Sequence, residues 1–135
     1  MKIMIVDGQG GGIGKALVER FKQVMPQQEL LAVGTNSLAT AAMLRAGADY
    51  GATGENPIVY NCKDADLIIG PIGIIVANSL HGELTPGMAQ SIGESRATKI
   101  LIPINKCNSI VIGAEELPLV EYVIKAVEKA AELMR

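Results

Sequence analysis

Two rhythms of apolar residues alternate along the chain. Residues 2–6, 29–33, 66–69 and 99–104 are short apolar runs without in-out alternation. Such runs predict buried strands of a parallel sheet covered on both faces. Between them, apolar residues return every three or four positions. Ile13, Ala16, Leu17, Phe21 and Val24 form one stripe over residues 12–24, with Glu19, Arg20, Lys22 and Gln23 mostly opposite. That spacing predicts an amphipathic helix. Met25 and Pro26 end it, because the residue before a proline avoids the helical region.

The later elements follow from local signals. Ser37 is the expected N-cap of a helix over residues 38–46, which Gly47 closes. Residues 49–52 read as a brief third strand. Asn56 and Pro57 place a cap and a first-turn proline before a helix over residues 57–63. Residues 72–80 read as helical, with His81 and Gly82 after them. Thr85 and Pro86 open a further helix that runs to about residue 93. Residues 105–108 form a turn into a last strand, 109–112, which predicts an antiparallel hairpin at one sheet edge. The longest helix spans residues 117–134. Its apolar stripe includes Val120, Val123, Val127 and Ala130, and its wet face includes Glu121, Lys125 and Glu128.

Strand and helix thus alternate throughout one domain, residues 1–135. The expected class is α/β, Rossmann-like, with a mostly parallel sheet of five to six strands flanked by helices and an antiparallel edge strand. A strand order of 3-2-1-4-5 would bring the loops after the first and fourth strands together at the switch point, where ligands bind in this architecture.

Composition narrows the picture. Hydrophobic residues make up 49% of the chain but aromatic ones only 3%, so the core must be aliphatic. The net charge is −2 and no basic run or aromatic platform is present, which argues against nucleic acid. Cys62 and Cys107 lie far apart without CxxC spacing, so neither a metal site nor a disulfide framework is expected. Residues 67–80 are the longest apolar stretch, broken by Gly70, Pro71, Gly73, Asn78 and Ser79, too short to span a membrane. The apolar start is too brief for a signal peptide, and a cytoplasmic location is expected.

The candidate chemistry begins at Asp7-Gly8-Gln9-Gly10-Gly11-Gly12-Ile13-Gly14, between the first strand and the first helix. A tight glycine loop aims a helix N-terminus and bare backbone N–H groups at one point, which attracts phosphate. Gly34, Thr35 and Asn36, after the second strand, would touch an adenosine ribose. Gly70, Pro71, Ile72 and Gly73, after the fourth, would lie over a nicotinamide ring. NAD(P) is the first expected cofactor. A nucleoside triphosphate is the alternative, though Gly11 to Lys15 ends like a Walker A loop without its hydroxyl: residue 16 is Ala. The other alternative is a packing turn without ligand.

Single residues carry paired readings. Asp7 either binds a metal or ribose hydroxyl, or caps N–H groups of its own loop. Cys107, beside Lys106, is either an activated nucleophile or a structural thiol. Asn105 and Asn108 serve the turn first and a ligand second. Asn78 and Ser79 face the cleft or a neighbouring subunit.

The spacing Gly8-x-x-x-Gly12-x-Gly14 resembles the glycine loop of short-chain dehydrogenases, which implies dinucleotide binding. The Tyr-x-x-x-Lys dyad of that family is missing, since Tyr60 and Lys63, and Tyr122 and Lys125, are three apart. Over nearly its full length the sequence is also similar to a bacterial family of short Rossmann-like proteins, a domain of unknown function. Asp7 to Gly14, Gly70-Pro71-Ile72-Gly73-Ile74 and Pro103-Ile104-Asn105-Lys106-Cys107-Asn108 carry that resemblance, which implies a fold and no activity. A dinucleotide fold this small has no separate substrate domain, so a homo-oligomer is expected, with the last strand and helix as candidate contacts. The readings left open are a small reductase, a nucleotide-sensing module and an interaction domain.

Overall fold

A computed structural model describes residues 1–135. Its central strand is β1, Ile3–Asp7, in which all five residues are buried. Side chains alternate across a strand, so Ile3 and Ile5 enter one core and Met4 and Val6 the other. β1 pairs in parallel with β2, Leu30–Gly34, and with β4, Leu67–Pro71. β3, Tyr50–Thr53, and β5, Thr98–Ile102, complete a sheet of order β3-β2-β1-β4-β5. Every pairing is parallel. The α/β class and the strand order expected from the sequence are those observed.

Helices cover both faces. α1, Gly12–Val24, α2, Ser37–Ala46, and α5, Leu119–Leu133, contribute to one core, in which Leu17, Phe21, Met43 and Val127 are buried against Ile3 and Ile5. α3, Glu55–Asn61, and α4, Pro86–Glu94, close the other, where Ile58 and Ile92 meet Met4, Val6 and Ile68. α4 begins as its sequence dictates, with Thr85 accepting from the Met88 N–H and Pro86 in the first turn. No helix is long and apolar enough to cross a membrane.

Four expectations change. Residues 109–112 form no strand, so the antiparallel edge is absent and β5 ends the sheet. α5 starts beside the glycine loop, because Leu119 shares a cavity with it. That is the end at which β5 finishes. A strand running back along β5 would leave the chain at the opposite end.

Residues 72–80 are not a helix either. One 3-10 turn, Ile72–Ile75, is followed by a return in which Asn78, Leu80 and His81 have φ of 56–64°. Left-handed residues cannot continue a right-handed helix. His81 therefore lies in this return and not at a helix end. Finally, Gly54 takes the N-cap position of α3, two residues before the expected Asn56, and Asn36 caps α2 by accepting from the Ala39 N–H at 2.9 Å, one residue before Ser37.

Candidate ligand site at the glycine loop

The loop after β1 is built on Asp7. Its buried carboxylate accepts from the Gly8 N–H at 2.8 Å and from the Gly14 N–H at 2.7 Å. Desolvation raises its pKa, against the lowering effect of the Gly14, Gly8 and Ile13 N–H groups, and the nearby Glu83 charge adds to the rise. These two bonds are the capping role of Asp7. Among His, Cys, Asp and Glu, no group of three is placed to hold a metal.

The glycines divide into two sets. A Cβ on Gly8 would stand 2.5 Å from Thr35 Oγ1 and 2.7 Å from Leu80 Cδ1. One on Gly14 would meet Met43 Sδ at 2.5 Å. Gly11 has φ of 75° and lies against the Ala39 backbone, so it needs both the space and the left-handed conformation. Packing explains these three. Gly10 and Gly12 are different: a Cβ on either would meet nothing within 4 Å. Both are exposed, and neither N–H has an acceptor in the protein, whereas Gln9, Gly11 and Lys15 N–H are all bonded.

Glu83, which sequence patterns do not single out, reaches this loop from the segment between the 3-10 turn and α4. Its Oε1 accepts from the Gln9 N–H at 2.9 Å, Thr35 Oγ1 at 2.7 Å and Asn36 Nδ2 at 2.7 Å. Burial raises the Glu83 pKa, but these three donors, with His81 nearby, outweigh it and the net shift is downward. Ser79 anchors the same segment by donating to the Gly73 carbonyl at 2.5 Å. Thr35 and Asn36 are thereby engaged with Glu83, and Gly34 lies buried under Thr40. Glu83→Ala should lower stability by about 1–2 kcal/mol at neutral pH, the worth of charge-assisted bonds in a half-exposed setting. A chemical melt reads it; an unchanged midpoint would mean the segment holds without the carboxylate.

The cleft lies over the C-terminal ends of β1 and β4, the switch point of this strand order. One lobe, of about 220 Å³, is lined by Asp7, the run from Gly8 to Ile13, Pro71, Leu80, Asn105 and Leu119. A second, of about 460 Å³, shares Gln9, Leu80 and Asn105 and adds His81, Lys106, Cys107 and Asn108. Six of these residues, Gln9, Leu80, His81, Asn105, Cys107 and Asn108, have left-handed backbone with φ of 50–62°. Such conformations cost energy and gather at functional sites.

Cys107 Sγ donates to the Asn105 carbonyl at 3.2 Å and lies against Gly73. The structure thus brings Asp7 to Ile13 together with Pro71 in the cleft. Gly70 and Gly73 lie behind it in the packing, Ile72 is half-buried and lines neither lobe, and Gly14 faces Met43. The hollow bounded by Cys62, Lys63, Glu94 and Arg96 is a separate surface feature near the N-terminal ends of β4 and β5.

Among solved structures, the chain is similar to a dodecameric FMN-dependent Ubix-like decarboxylase from Escherichia coli O157:H7. The two are 13% identical with a TM-score of 0.46, over 99% of this chain and 94% of the other. No curated protein matches the chain. The family model described as "Domain of unknown function (DUF3842)" matches residues 2–135. By that match over nearly all its length, the chain belongs to the DUF3842 family.

Proposed function

We propose that the cleft binds a phosphate-bearing, nucleotide-type ligand, with its phosphate on the Gly10 and Gly12 N–H groups. The observation that supports this is their exception to packing. Neither glycine is required by any neighbour, and both present unpaired donors at the N-terminus of α1, on the wall of a cavity. Absence of a Cβ lets a phosphate approach the backbone, and the helix end favours the negative charge. The larger lobe toward Lys106 and Cys107 would take the rest of the ligand.

NAD(P) is the dinucleotide form of this reading. Its adenosine half would need Thr35 and Asn36, which Glu83 occupies, and the Glu83 carboxylate would repel a 2′-phosphate. A mononucleotide extending toward residues 105–108 leaves Glu83 in place, and we rank it first. No reaction is assigned.

The test is a thermal-shift panel of NAD, NADP, FMN, ATP and inorganic phosphate, on the wild type and Gly12→Val. Open space around Gly12 means the variant should fold normally. A ligand at one hundred times its Kd adds about 2.7 kcal/mol to stability. The expected result is a response to a mononucleotide that Gly12→Val abolishes. No response from folded wild type, or a response indifferent to Gly12→Val, would leave the loop as a packing turn.

A further inference from the structure

We propose that the chain self-associates by exchanging an arm: residues 109–116 of one protomer dock in the groove between α1 and α5 of a second copy. Ile110 and Ile112 are 87% and 91% exposed, more than any other large hydrophobic residue of the chain. They stand together on the excursion between β5 and α5, and the N–H groups from Ile110 to Gly113 have no acceptor in the protomer. Apolar side chains grouped at the surface in this way mark contact sites.

The same chain carries a receiver. A groove of about 250 Å³ between α1 and α5 is walled mainly by Ala16, Leu119, Val120, Val123 and Ile124. That is room for a branched aliphatic side chain. Arg20 also borders it, and its Nε–H is buried without an acceptor.

The unfilled Arg20 donor selects the acidic arm of a second copy as the occupant. Residues 109–116 contain no basic residue and end in Glu115 and Glu116, both exposed. A carboxylate there supplies the acceptor that Arg20 lacks, while the isoleucines fill the apolar wall. Glu19 borders the same groove, so the match rests on the unfilled donor of Arg20. Within one protomer the isoleucines remain in solvent and the groove empty. A two-fold exchange fills both grooves at once and closes the assembly.

Sedimentation velocity on the full chain tests this. The wild type should associate in the micromolar range. Ile110→Asp combined with Ile112→Asp should weaken association about a hundredfold or more. Val120→Asp, at a residue 63% exposed in the groove wall, should do the same. All three positions are exposed, so the melting temperature of the dilute monomer should hold. A mixture of the arm variant and the groove variant should associate more strongly than either alone, because one intact arm meets one intact groove. A wild type that stays monomeric overturns the proposal. So does an assembly that survives either variant, or a mixture that gains nothing.

Discussion

Asp7→Ala should cost the fold about 2–4 kcal/mol, because it leaves two buried backbone donors, Gly8 N–H and Gly14 N–H, without an acceptor at about 1–3 kcal/mol each. The melting temperature of a domain of this size should fall by roughly 10 °C. Asp7→Asn separates the fold from the site. Its amide keeps one acceptor, so it should lose less stability than Ala. It also removes a negative charge beside Gly10 and Gly12, so it should bind a phosphate ligand more tightly than the wild type does. Loss of affinity in Asp7→Asn would instead make the carboxylate a ligand contact.

The pH dependence of the two carboxylates runs in opposite directions. Burial raises Asp7 above its ordinary 3.8, so the folded chain keeps this proton to a higher pH than the unfolded chain. Its contribution to stability is full below about 3.8 and is lost as pH rises through the folded value. The hydrogen bonds to Glu83 outweigh its burial and hold it below its ordinary 4.5. Its contribution is present above about 4.5 and is lost as pH falls through the folded value. The wild-type advantage over Asp7→Ala should therefore shrink on raising the pH, and that over Glu83→Ala on lowering it. Matching slopes for the two variants would contradict these environments.

Gly70→Ala should be about as damaging, at about 3 kcal/mol. A Cβ there would stand well inside the van der Waals contact distance of the Val6 carbonyl oxygen and 3.2 Å from Ile74 Cδ1. Val6 belongs to the central strand, is fully buried and pairs with Val33 of β2, so its carbonyl cannot move without disturbing the β1–β2 ladder. The added methyl would push the end of β4 away from β1 and shift Pro71, a wall of the cleft. Thermal denaturation reads the loss. An unchanged melting temperature would show that β4 slides freely at this point.

Much of the site's frame is legible locally. The unbroken run that ends at residue 6, the glycines, and the helical stripe from Ile13 onward specify strand, loop and helix over neighbouring residues. The Thr85–Pro86 start of α4 is just as local. Glu83 is not. It joins Gln9 across 74 residues and Thr35 across 48, and no spacing along the chain encodes such a bond. The seven left-handed non-glycine residues were equally silent, because surrounding packing imposes that conformation on them.

The residues at 109–112 show where local preference stops. Ile110, Val111 and Ile112 favour a strand, yet strand formation needs a partner edge, and the chain must reach the start of α5 at the same end of the sheet. By itself the sequence determined most of the elements, their alternation, the parallel sheet and the glycine loop between β1 and α1, since each follows from periodicity or from a cap within a few residues. Only the tertiary structure decided that Gly8, Gly11 and Gly14 serve packing while Gly10 and Gly12 stand free. It also decided that Glu83 covers the end of β2 and that the last apolar run projects unpaired. Those outcomes depend on which distant segments meet, which the burial of both sheet faces and the direction of each crossover impose.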